Sequence, residues 1–465
     1  MKSPRMETLP QWPVAFMRSE HPSPVVQPGI YVSRRTTPFL RRQTMQQQRT
    51  TAPAGALILT TIAMAVATAA QAGEVEVLHW WTSGGEAKAA AALKATLQAK
   101  GDTWKDFAVA GGGGDSAMTV LKSRVVSGNA PAAAQIKGPS LQEWAKEGVL
   151  ANIDDVAKAE KWDEALPKVV SDIMKYKGNY IAVPVNVHRV NWLWSNPEAF
   201  KKAGAKLPTN WDEFFTAAEA LKKAGIIPVA HGGQNWQDFT TFEAVALGVG
   251  GTEFYKKALV NLDQSALKSP TMEQVLTTFK RVKDYTDKNA PGRDWNLATA
   301  MVIKGEAGMQ IMGDWAKGEF IAAGKAPGKD FNCSAAPGTA KAFTFNVDSF
   351  AMFKLKNEAN IKAQRDLASA IMSPDFQEVF NLNKGSIPVR LGMKMDKFDD
   401  CAKASSADFV ATAKSGALVP SIAHGMAVPW AAEGAIKVVV SQFWNSDKMS
   451  AKDAMDKLAT AAKTR

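Results

Sequence analysis

From Gly73 to residue 138, short apolar runs alternate with longer helical ones, and this alternation restricts the possible folds more than any other feature of the chain. VEVLHWW (75–81), DFAVAGGGG (106–114) and AAAQIKG (132–138) read as strands. Between them, AKAAAALKATLQAK (87–100) and SAMTVLKSRVVSG (116–128) are dominated by residues that lose little freedom in a helix. A β-α-β-α-β order needs crossover helices and places the strands side by side in a largely parallel sheet. Beyond it the mixture becomes uneven. Helices are expected at 141–153, 211–224, 240–248, 253–259, 271–289, 297–304, 360–383, 405–415, 430–445 and 450–463. Strands are expected within 179–200, at 226–233 and 307–315, and as a pair within 343–354. A compact α/β start before a helix-rich middle predicts two lobes whose chain crosses between them more than once.

With 465 residues, 46% hydrophobic and 22% charged, the chain has material for more than one packed core. Its net charge of +11 is concentrated at one end. Residues 1–72 hold eight Lys/Arg against Glu7 and Glu20, so residues 73–465 carry only about +5, without a basic run, and give no support to a nucleic-acid partner. Arg49 precedes an uncharged stretch, APAGALILTTIAMAVATAAQA, that closes on Ala70-Gln71-Ala72. A positive flank, an apolar middle and small residues at the end are the signs of a secretory signal peptide over 45–72, cleaved before Gly73, with a single anchoring helix as the alternative. Residues 1–44, rich in Pro and Arg, read as an upstream extension, with Met45 the better start. Cys333 and Cys401 allow one disulfide or two unpaired thiols.

In open α/β sheets, ligands gather beyond the carboxyl ends of the strands, where loops and helix N-termini meet. The residues placed there form a consistent set. His79, Trp80, Trp81 and Glu86 come after the first strand, Gly111–Gly114 after the second, and Lys137 after the third. Asn186 and His188, then His231, Gln234 and Trp236, then Asp314 and Trp315 come after later ones, and Asn346 and Asp348 lie within FTFNVDS. Carboxylates, amides and ammonium groups together satisfy hydroxyls, which both donate and accept, while indole faces cover the C–H faces of a pyranose. Taken singly, a tryptophan is more often core and a lysine more often surface; their convergence points to a site for a neutral polyhydroxylated ligand.

The glycine run fits neither phosphate motif: no lysine comes after it, and position 116 is Ser where a dinucleotide fingerprint needs Gly. It reads as a close approach of backbone to the cleft, or a flexible turn. The chain has no H-E-x-x-H, G-x-S-x-G or C-x-x-C, which leaves zinc chemistry and triad hydrolysis without support, and no cofactor is implied. A glycoside hydrolase, using Glu86 with Asp314 or Asp348, is the competing enzyme reading.

The residues EVLHWWTSGGE, KGPSLQEWAKEGVLANI, VPVNVHRVNWLWSNP, GEAGMQIMGDW, NLNKGSIPVR and PSIAHG carry a resemblance. From Gly73 to its end the chain resembles the periplasmic sugar-binding proteins of ABC importers, most closely the glucose-binding branch. The resemblance implies a two-lobed α/β clamp with hinge crossings, a periplasmic location, and delivery of a sugar by a monomer to membrane permease subunits. It implies lobes formed by 73–185 with 343–392 and by 186–342 with 393–465. It also implies ligand contacts from Trp80, Trp81, Glu86, Lys137, Trp315, Asn346, Asp348, Lys384 and His424, with strand register deciding between Asn346 and Asp348; His188 joins this expected set from its place after a strand. Residues 1–44 have no counterpart in the family pattern.

Overall fold

A computed structural model describes residues 72–464; the expectations for residues 1–44, and for 45–72 apart from Ala72, lie outside the described residues. Twelve strands are present among them: β1 (Glu74–His79), β2 (Thr103–Ala108), β3 (Ala133–Gln135), β4 (Lys175–Tyr176), β5 (Asn179–Tyr180), β6 (Ala182–Arg189), β7 (Trp192–Ser195), β8 (Ile227–Val229), β9 (Ala307–Ile311), β10 (Asn332–Ala335), β11 (Phe343–Met352) and β12 (Leu418–Pro420). They form two main sheets and so a two-lobed α/β molecule. The first has the order β12-β11-β3-β1-β2, with β6 also paired to β11; the second is β10-β7-β9-β8.

In the first sheet β1 runs parallel to both β2 and β3, as the crossover helices Gly84–Gln98 and Asp115–Val126 require. Val75, Val77 and Leu78 are buried there, and Leu93 and Leu97 of the first helix share their core. The second sheet packs on a separate core that includes Phe214, Phe242, Phe279 and Trp444.

The chain crosses between the sheets where β6 ends at Arg189 and β7 begins at Trp192, and crosses back between β10 and β11. Asn191 ties the two crossings together. Its Nδ2 donates to Thr339 Oγ1 at 2.9 Å and to the Ala342 carbonyl at 3.1 Å, while its Oδ1 accepts from the Thr344 N–H at 2.9 Å. β12 lies within the 393–465 segment yet pairs with β11, so the chain leaves the first sheet again after Pro420 for the helix Trp430–Asn445. Cys333 of β10 is bonded to Cys401 of the helix Asp400–Ser415.

Several expected elements are corrected. The pair of strands within 343–354 is one continuous strand, β11, buried at every position because it is flanked by neighbours and covered on both faces. The helices expected at 240–248 and 253–259 are separate, broken at Gly251, whose φ of +74° and ψ of 176° are not helical; the first starts earlier, at Asn235, and the second passes into a π-helical turn at Lys256–Val260. The span 360–383 divides into Glu358–Met372 and Pro374–Lys384, because Pro374 has no N–H to continue the ladder and Ser373 caps the second helix. β2 starts earlier and stops before the glycines, and the 307–315 strand ends at Ile311, so that Trp315 opens the helix Trp315–Ala322.

Candidate functional site

All ten residues expected at the site line one cavity of about 340 Å³. Trp80 and Glu86 come from the β1 end and the helix start after it, Lys137 from the β3 end, and His188 from β6. Asn346 and Asp348 lie two apart on β11, so both face the cavity; register does not choose between them. Lys384 is the last residue of its helix, and His424 sits in the segment after β12.

The two adjacent tryptophans differ. Trp81 is 2% exposed and packs on Phe350 and Phe380 at ring-centroid distances of 5.4 and 5.1 Å, so only part of it borders the cavity. Trp80 is half-buried, with the Lys137 ammonium 5.2 Å from its ring centroid. The glycine run explains how the ring is accommodated: a Cβ on Gly114 would lie 3.1 Å from Trp80, and one on Gly113 would lie 3.0 Å from Trp236. Both glycines also have positive φ, +112° and +60°, so the loop is a close approach of backbone to the cleft.

A compensated charge cluster forms the floor. His188 sits between Asp314, on its Nδ1, and Asp348, whose Oδ2 is 3.0 Å from its Nε2. Burial disfavours the imidazolium, but the two carboxylates outweigh that and raise its pKa. Asp348 is held well below the usual carboxylate range: burial works against this, and His188, Lys137 and Lys384 overcome it. Lys384 Nζ donates to Glu86 Oε1 at 2.5 Å. With both ring nitrogens engaged by carboxylates, His188 is placed to fix Asp348 rather than to offer a hydrogen bond of its own.

His424 is the opposite kind of histidine. Burial, then repulsion from Lys137, holds its pKa well below normal, so the ring is neutral. Thr240 Oγ1 donates to the Trp236 carbonyl at 2.8 Å and therefore meets His424 Nε2, 3.0 Å away, as an acceptor. The ring proton is thus on Nε2, which leaves Nδ1 as a free acceptor. Lys137 has no hydrogen-bond partner among the described residues, and neither do the buried Asn346 Oδ1, Ser83 Oγ and Trp81 Nε1. Unsatisfied donors and acceptors that border a cavity are what a polar ligand would complete.

Two groups of lining residues lie beyond the expected set. Trp236 and Gln234 stand at a strand end but are not among the ten expected contacts, and Asp294, Trp295 and Asn296 belong to the start of a helix that the sequence marks as ordinary. Trp236 Nε1 donates to Gln234 Oε1 at 2.7 Å, and Gln234 Nε2 donates to Asp294 Oδ1 at 2.5 Å. Trp315 packs edge-on to His424 and His188, at 4.8 and 5.2 Å between centroids. A glycosidase needs one carboxyl held protonated, whereas Asp348 is pushed the other way and Glu86 is ion-paired.

Residues 80–378 match the family model described as bacterial extracellular solute-binding protein. A Brucella suis protein named "Probable sugar-binding periplasmic protein" is 51% identical over 396 residues, covering 85% of this chain and 93% of its own length. Among solved structures, a chitin oligosaccharide binding protein aligns with a TM-score of 0.72 at 19% identity, over 84% of this chain and 98% of its own. A bacterial solute receptor described as exclusively preferring β-D-galactopyranose aligns at 0.71 and 18% identity, over 84% and 98%. Its two-lobed fold, its match to the family model and its likeness to periplasmic relatives place the chain in the bacterial extracellular solute-binding protein family, as a periplasmic binding protein and not an enzyme.

Proposed function

We propose that the chain captures a neutral sugar between its lobes and delivers it, as a monomer, to the permease subunits of an ABC importer. The single observation that carries this reading is the set of groups that face one cavity without a hydrogen-bond partner among the described residues: Lys137 as donor, His424 Nδ1 and Asn346 Oδ1 as acceptors, beside the half-buried Trp80 ring. Within the cavity the acids Glu86 and Asp348 are offset by Lys384 and His188, so the ligand it favours is rich in hydroxyls and uncharged. Close relatives named as sugar-binding periplasmic proteins support the class of ligand.

The finer reading is a monosaccharide, with glucose first, on the strength of the residues shared with the glucose-binding branch. The fold alone does not choose, since it also serves oligosaccharide and galactose receptors. The lobes proposed for the clamp start from the expected 73–185 with 343–392 and 186–342 with 393–465, but 186–189 of β6 and 418–420 of β12 stay with the first sheet, so the movement is about the observed crossings, two of which Asn191 ties together. A sugar touching both lobes binds the closed state more tightly and shifts the population toward it. Isothermal titration of the mature chain against glucose, galactose, mannose, xylose and disaccharides tests the ligand; no heat with any sugar refutes the reading. Small-angle scattering tests the clamp, which predicts a smaller envelope at saturating sugar and is refuted by an unchanged one.

A further inference from the structure

Behind Trp80, Lys137 and His424 lies a second, smaller cavity of about 50 Å³ that shares those three residues with the main one. Its far wall is formed by Ser140, near the start of the helix Pro139–Lys146, and by Glu433 and Lys437 of the helix Trp430–Asn445. Glu433 and Lys437 are each 5% exposed. Lys437 is well satisfied: it donates to both Asp115 oxygens, at 3.0 and 3.1 Å. Glu433 is not. Among the described residues its one ion-pair partner is Lys437, 3.3 Å from Oε1, and burial pushes its carboxyl pKa up. A buried carboxylate with one cation beside it and open space in front of it has room to accept from a hydroxyl.

The size of the space limits what that hydroxyl belongs to. A water needs about 10–15 Å³ of such volume. The cavity therefore takes about three to five water-sized groups, too few for a second sugar ring and enough for one carbon bearing one oxygen. We propose that this side cavity receives the exocyclic hydroxymethyl group of a hexose, with Glu433 accepting its hydroxyl proton in a hydrogen bond. Resting on the sugar reading above, the proposal narrows it: the chain selects hexopyranoses over pentopyranoses of the same ring stereochemistry.

Glucose and xylose differ only by that group, and 6-deoxyglucose lacks only its hydroxyl, so titration of the mature chain with the three separates the contributions. The unaltered chain is expected to bind glucose at least tenfold more tightly than either of the others. Ser140→Leu, which fills the cavity, is expected to weaken glucose at least tenfold while leaving xylose within twofold. Glu433→Gln leaves the space open and is expected to weaken glucose severalfold with no change for 6-deoxyglucose, a readout that survives if the Leu variant does not fold. Equal losses for glucose and xylose in Ser140→Leu, or for glucose and 6-deoxyglucose in Glu433→Gln, overturn the proposal while leaving sugar binding intact. Absence of binding by all three to the unaltered chain points instead to failure of the glucose reading.

Discussion

The two walls of the cavity are built from different chemistry. The wall supplied by the first sheet is charged: Glu86, Lys137, Asp348 and Lys384 surround the half-buried ring of Trp80. The wall supplied by the second sheet and its helices is aromatic, with Trp236 and Trp315 grouped near His424 and Trp295 lining the same cavity. Charges fixed in a compensated network hold hydroxyls in direction, because each partner is already desolvated and held in place before the ligand arrives. Aromatic faces exclude water and tolerate variation in what they cover. Specificity is therefore expected on the first wall, and retention on the second.

The sharpest break of this contrast is Asp348→Asn. It leaves His188, Lys137 and Lys384 around a neutral amide, and sugar affinity should fall at least a hundredfold, about 2.7 kcal/mol, in a titration. An unchanged affinity would show that the charged wall does not face the ligand.

The tryptophan pair sharpens the contrast within one wall. Trp81→Ala should remove about 3–5 kcal/mol of stability in denaturant unfolding, because it empties a packed site against Phe350 and Phe380. Trp80→Ala should instead cost at least tenfold in affinity, about 1.4 kcal/mol, with a midpoint close to the parent's. Reversal of the two phenotypes would exchange their assigned roles.

On the second wall, Trp295→Ala should weaken every sugar in the panel severalfold and by similar factors, since a half-exposed ring covers rather than discriminates. A change in the ranking of sugars would move specificity to that wall.

The smallest effect concerns acidity. His424 is neutral in the fold because burial depresses its pKa, so its contribution to stability is complete above the unfolded value of about 6.5 and is lost as pH falls from there toward the depressed folded value. His188 has the opposite sign: its raised pKa contributes fully below about 6.5 and is lost only as pH rises through the folded value. His424→Gln should therefore flatten the decline in melting temperature between pH 7 and pH 5. A decline as steep as the parent's would assign it to other groups.

The charged wall was legible because its members stand where strands stop, and strands announce themselves by apolar runs. Two members are exceptions: Asp348 lies inside β11, and Lys384 closes a helix, so that only the family resemblance pointed to it. The aromatic wall was harder to read because its tryptophans open helices instead. Trp236 and Trp295 each come directly after an Asn or Asp at a helix start, as Trp315 does. That recurrence is present in the sequence. It is an imperfect guide, since Asn210-Trp211 has the same form and its ring packs into the core against Phe214. The fold class was readable from alternation alone. β11 misled because a strand buried on both faces carries no period-two pattern to mark its length or its partners.

The bond between Cys333 and Cys401 spans 68 residues and fastens the edge strand of one sheet to a helix that packs beside the other sheet's β11 and β12. Such a tether forms and persists only where the surroundings are oxidising. A copy of the chain retained among cytosolic reductants would forgo roughly 4 kcal/mol of loop-closure stabilisation. The receptor would thus reach its full rigidity only after export, in the compartment where there is sugar to catch.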